Sequence, residues 1–244
     1  MGGCSEGCGA GSTQYKGPII RAMKRPATSL LLAFASAAAT LLATSTSHAQ
    51  DAAAGQAKAA TCIGCHGIAG YQASFPEIFK VPMISGQNGK YIVAALNAYK
   101  KGERKHPTMR AVAGPMTDKD MADLAAFYES HGSSSVKPVS SSTPAQPPAA
   151  VAALLAKGAC SSCHGADFNK PIDGAYPKLA GQHADYLFAS LRAYGVEGNP
   201  KVGRANAIMG AQVKAFQRSE LKAMAEYLSS LPGDVRTVRQ PPFK

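Results

Sequence analysis

Two short stretches, CIGCHG at Cys62–Gly67 and CSSCHG at Cys160–Gly165, decide how the rest of the chain is read. Each sets two thiols and an imidazole at relative positions i, i+3 and i+4. On a helical turn these positions share one face, so all three side chains can address a single flat object. The motif occurs twice, 98 residues apart, which asks whether the surroundings repeat as well.

They do. Pro82-Met83-Ile84-Ser85-Gly86-Gln87 answers Pro177-Lys178-Leu179-Ala180-Gly181-Gln182. Tyr91, Leu96 and Tyr99 answer Tyr186, Leu191 and Tyr194, and Met109 answers Met209. The stripe Met121, Leu124, Ala125, Tyr128 answers Leu221, Met224, Ala225, Leu228. The spacing predicts two small domains of about eighty residues, 51–132 and 150–233, followed by a tail at 234–244. Between them, 133–149 lies in a Ser/Pro-rich run that reads as a linker, GSSSVKPVSSSTPAQPPA from Gly132. At roughly 3 Å per residue it spans about 50 Å, so the linker does not fix how the domains sit.

Each copy reads as helices, giving an all-α fold class of two tandem domains. Asp51 is placed to cap an Ala-rich helix that leads into Cys62. Tyr91–Lys101 carries apolar residues on one side and ends at Gly102. Thr117-Asp118-Lys119-Asp120 resembles a capping box. The helix after it puts Met121, Leu124, Ala125 and Tyr128 at i, i+3, i+4 and i+7, an amphipathic stripe. No alternating strand is evident, and Met109 and Met209 read as lying in non-helical Gly/Pro-rich stretches.

The first fifty residues read as targeting. Arg21, Lys24 and Arg25 form a basic region, Ser29–Leu42 an apolar one, and Ser47-His48-Ala49 a cleavage site before Gln50. Met23 is a plausible start, with 1–22 an upstream extension. Cys4 and Cys8 then fall outside the chemistry. The expectation is a signal peptide at 1–50 and a periplasmic mature protein, with membrane attachment only if the segment stays uncleaved. Loss of four bases and one acid takes the net charge from +11 to about +8. The basic residues are scattered, without a basic helix or Arg-rich run, so the charge argues against nucleic acid and for steering toward an acidic protein partner.

The hydrophobic set is 45% of the chain, yet aromatics are 7% and Trp is absent. Domains this small with so few large side chains usually need a disulfide, metal or cofactor. Cys-x-x-Cys-His is the signature of covalent haem attachment, in which two thiols add to the vinyl groups and the imidazole ligates iron. Zinc would need four ligands, and neither copy offers a second Cys pair. A thioredoxin-type dithiol would need a βαβ setting that is missing. The candidate attachment residues are therefore Cys62, Cys65 and His66 in copy one, and Cys160, Cys163 and His164 in copy two.

For the opposite side of each iron, the repeat selects Met109 and Met209. They align with each other, 43 and 45 residues after their histidines. Met224 aligns with Leu124 inside a core stripe, and Met83 aligns with Lys178, whereas Met116 is the runner-up in copy one. A Met/His pair leaves no vacant position for a substrate, which points to moving electrons. Pro82 and Pro177 offer carbonyls at matching places to receive the other imidazole N–H. Tyr91 and Tyr186 read either as propionate partners or as helix-face core.

These motifs resemble the class I c-type cytochromes, and among them the diheme cytochrome c4 type. The resemblance spans about 51–233 and is carried by CSSCHG, YPKLAGQHADYL at Tyr176–Leu187, the Met-to-helix spacing and MTDKDMADLAAFY at Met116–Tyr128. It implies two helical domains packed face to face, two covalently bound haem c groups, and His66/Met109 and His164/Met209 ligation. It also implies a periplasmic electron carrier between a quinol-oxidising complex and a terminal oxidase, with no catalytic residues of its own. Similar chains serve as the cytochrome subunit of flavocytochrome c sulfide dehydrogenases, so a dehydrogenase is a second possible partner. A diheme peroxidase would need one iron to open.

Overall fold

The computed structural model describes residues 50–131, 133 and 146–239. The segment read as a signal peptide and most of the one read as a linker lie outside them. Among the described residues no helix is long and apolar enough to cross a membrane.

The first half runs α1 (Ala52–Lys58), α2 (Ala60–His66), β1 (Gln72–Ala73), β2 (Phe79–Lys80), α3 (Gly89–Lys101), β3 (Arg104–Lys105), α4 (Pro107–Ala113) and α5 (Asp118–Ser130). The second runs α6 (Ala149–Lys157), α7 (Ser161–His164), α8 (Ala184–Ala193), β4 (Gly203–Arg204), α9 (Ala207–Val213) and α10 (Arg218–Ser230). The all-α class holds. Among the described residues the four strands, which alternation does not signal, are two residues each.

Local chemistry explains the helix ends. Asp51 accepts from the N–H groups of Ala53 and Ala54 at the start of α1. The Thr117 hydroxyl accepts from the Asp120 N–H while the Asp120 carboxylate accepts from the Thr117 N–H, closing the box that opens α5. Gly102 stops α3 with φ 78, a left-handed conformation that costs other residues more. The Ala-rich segment expected as one helix is two, because the chain turns at Ala59 to aim Cys62 and His66 separately from α1.

The core of each half is the expected stripe. Met121, Leu124, Ala125 and Tyr128 of α5 pack with Ile92 and Leu96 of α3. Leu221, Met224, Ala225 and Leu228 of α10 are buried in the second half, Leu228 and Ala225 alongside Leu187 of α8. Complete burial of a side chain such as Met121 contributes about 1.5–3 kcal/mol. α1 crosses α5 at Gly55, where a Cβ would lie 2.0 Å from the Asp123 carbonyl oxygen.

The halves are joined by contacts that the sequence did not announce. β3 and β4 form an antiparallel ladder across the interface, pairing Arg104 with Arg204 and Lys105 with Gly203. Arg192 bonds Glu77 at 2.6 Å. The segment after α10 turns back onto the first half, where Arg236 N–H donates to the Ser85 carbonyl at 2.9 Å. Lys178 Nζ bridges the Gly86 carbonyl and the Asp234 carboxylate at 2.9 and 3.0 Å.

Candidate haem-binding sites

His66 is the last residue of α2 and His164 the last of α7. Cys62 and Cys65 both lie within α2, whereas in the second half Cys163 lies within α7 and Cys160 is its N-cap. His66 Nδ1 lies 2.8 Å from the Pro82 carbonyl oxygen, and His164 Nδ1 lies 3.1 Å from that of Pro177. A carbonyl only accepts, so Nδ1 carries the proton in both rings and Nε2 keeps its lone pair. Burial pushes both imidazoles below their ordinary pKa, with the proline carbonyls working partly against it. Each ring is thus the neutral, oriented form that a metal binds.

Cys62, Cys65, Cys160 and Cys163 are all unbridged and half-buried. Burial pushes the thiols of Cys62 and Cys160 up. Among the described residues no three His, Cys, Asp or Glu side chains gather to hold a metal, which leaves zinc without a ligand set.

Met109 and Met209 lie on α4 and α9, so the non-helical reading of their surroundings is corrected. Pro107 sits at the first turn of α4, where its missing N–H costs nothing. His106 Nδ1 accepts from the Met109 N–H at 3.3 Å, and Asn206 Oδ1 accepts from the Met209 N–H at 2.9 Å. His106 and Asn206 thus play the same capping part, although imidazole is not a usual cap. Both methionines are half-buried, and Met109 packs against the core cluster that also receives Cys62 and Met116. Met121 and Met224 are buried in the cores, and Met83 engages the other half through its backbone.

A further cluster lies where the halves meet. Arg104 donates to the Tyr91 hydroxyl at 2.8 Å, and Arg204 to the Tyr186 hydroxyl at 3.0 Å. The Arg104 guanidinium also lies over the Tyr99 ring, and that of Arg204 over Tyr194. Burial drives the Tyr91 phenol up to about 12. At Tyr186 burial acts the same way, but Arg204 and Arg104 outweigh it and bring the phenol down to about 8. Among the described residues neither arginine has a carboxylate partner within ion-pair distance. Two half-buried cations without a carboxylate partner among the described residues are suited to anions from elsewhere.

The donor set fits haem: paired thiols, a neutral imidazole with a free Nε2, a methionine at the matching place, and cations suited to propionates. When bound, haem supplies an iron that cycles between two oxidation states. The protein's part is to hold the ring nitrogen, cover the macrocycle and keep water out.

Comparison with known proteins gives the same answer. The family model described as Cytochrome c matches residues 52–131 and again 149–232. The chain is 32% identical over 202 residues to the cytochrome c4 of Thiocapsa roseopersicina, covering 74% of this chain and 93% of that one. It is 30% identical over 179 residues to a thiosulfate dehydrogenase electron acceptor of Stutzerimonas stutzeri, covering 70% and 78%. Its fold is similar to the crystal structure of reduced recombinant cytochrome c4 from Pseudomonas stutzeri, with a TM-score of 0.55 at 28% identity, over 75% of this chain and 100% of that one. The chain belongs to the cytochrome c family and, within it, to the diheme cytochrome c4 type, electron-transfer proteins that bind two haem c groups covalently.

Proposed function

We propose that the protein is a periplasmic carrier that passes electrons between respiratory partners, one haem receiving and the other delivering. In this reading Cys62 and Cys65 anchor the first haem between His66 and Met109. Cys160 and Cys163 anchor the second between His164 and Met209. The observation that carries the proposal is the pair of matching His–carbonyl sites joined in one body by the β3–β4 ladder. Direct contact between the halves favours transfer within the chain over transfer by collision. The leader supports export, and the mature charge of about +8 supports steering toward an acidic donor and a terminal oxidase.

The test is an absorption spectrum of the purified mature protein, oxidised and reduced, with haem counted per chain. Two haems and a far-red methionine–iron band strong enough for both are expected. A high-spin signature or a band worth one methionine overturns the paired ligation. A second reading, that the chain is the electron-accepting subunit of a dehydrogenase, is favoured by its likeness to the thiosulfate dehydrogenase electron acceptor. A stoichiometric complex surviving mild purification separates that reading from a free carrier.

A further inference from the structure

Gln87 and Gln182 are buried, and each reaches into the opposite half. Gln182 Nε2 donates to the Met83 carbonyl at 2.8 Å, and its Oε1 accepts from the Met83 N–H at 3.0 Å. Gln87 does the same to Lys178, at 3.0 and 2.9 Å. Met83 follows Pro82 and Lys178 follows Pro177. The Pro82–Met83 peptide group is therefore held at both ends, its oxygen by His66 Nδ1 and its N–H by Gln182. The Pro177–Lys178 group is held likewise by His164 and Gln87.

Hydrogen bonds in series polarise one another, so an amide with its N–H engaged carries more negative charge on its oxygen. A stronger acceptor at Pro82 draws on the Nδ1 proton and leaves His66 Nε2 more electron-rich. An electron-rich axial imidazole favours oxidised iron.

We propose that Gln182 sets the donor strength of His66, and Gln87 that of His164, so that each half tunes the midpoint potential of the haem in the other. The inference rests on the proposed ligation by His66 and His164. Both glutamines are positioning residues that act through a peptide group and a histidine.

In the holo-protein, Gln182→Leu is expected to raise the midpoint of the first-half haem. It also moves the His66 Nδ1 proton resonance of the reduced protein upfield. The second-half midpoint and the His164 resonance stay in place, and Gln87→Leu gives the mirror result. Asn88→Ala removes another bond across the same interface, from Asn88 Nδ2 to the Tyr176 carbonyl, and touches neither peptide group. It is expected to leave both midpoints unchanged. The proposal is overturned if Gln182→Leu moves both midpoints together, if Asn88→Ala reproduces its shift, or if the His66 resonance does not move.

If a leucine variant fails to take up two haems, the reduced wild-type protein carries the test. A through-hydrogen-bond coupling between the Met83 amide nitrogen and the Gln182 carboxamide carbon is expected, and its absence ends the proposal. A wild-type spectrum without ring-current-shifted His66 and His164 signals removes the ligation premise instead.

Discussion

Arg104 and Arg204 stand opposite one another in the ladder that joins the two halves. Directly opposed like charges destabilise a strand pair. These two are tolerated because each guanidinium rests against tyrosines, and both are suited to anions such as haem propionates.

The first prediction follows from that charge. Each arginine favours the more electron-rich, reduced state. At a separation on the order of 10 Å and an effective dielectric of about 20, one charge is worth roughly 1–2 kcal/mol. Arg204→Gln is therefore expected to lower the midpoint of at least one haem, read by potentiometric titration. Unchanged midpoints would show that the arginines serve packing alone.

Met109→Ala and Met209→Ala should each remove about half of the far-red band and lower one midpoint, since a thioether partner raises the potential. Retention of the full band in Met109→Ala, with its loss in Met116→Ala, would move the first-half ligand to Met116.

Asp123 predicts how the first half responds to acid. Its carboxylate accepts from Lys58 at 2.7 Å, from Lys119 at 2.9 Å and from the Asp51 N–H at 3.1 Å, tying α5 to the start of α1. Lys58 and then Lys119 hold its pKa down to about 2, against an ordinary 3.8. A depressed folded pKa gives stability that is complete above about pH 4 and is lost as pH falls toward 2. Asp123→Asn should unfold at lower urea than wild type at pH 7, with the gap narrowing below about pH 4 and closing as the pH falls through 2. A gap that persists undiminished in acid would mean that the charge contributes little.

Gly86 predicts a mechanical effect. It has φ 79, and a Cβ there would lie 2.3 Å from the Asp234 carbonyl oxygen. Gly86→Ala combines left-handed strain with a backbone clash and should cost roughly 1–3 kcal/mol. Gly70, at φ 72 with open space around it, provides the control for strain alone. Limited proteolysis should cut the 234–239 segment faster in Gly86→Ala than in Gly70→Ala. Equal rates would show that the segment is not held there.

What was legible in the sequence was local. The Cys-x-x-Cys-His turns, the Thr117–Asp120 box and the α5 stripe each need only residues within two helical turns. The Pro82 and Pro177 carbonyls were read from a repeat and a general habit of ligating histidines. The helical setting of Met109 was not legible, because Pro107 and Gly114 read as loop signals and His106 is an uncommon cap. Gln87 and Gln182 were seen as aligned letters, yet their role depends on docking across a long linker. The Arg104–Arg204 pairing was invisible for the same reason: two-residue strands have no period to detect.

The glutamine contacts are reciprocal. Residues 83 and 178 are equivalent in the two repeats, as are 87 and 182, so residue 87 of one copy meets position 178 of the other and the converse also holds. Such reciprocity is what two-fold symmetry imposes on identical subunits. A single chain with a long connector has no need of it. The two halves therefore meet as the subunits of a homodimer would, with Met83 and Lys178 differing at equivalent places.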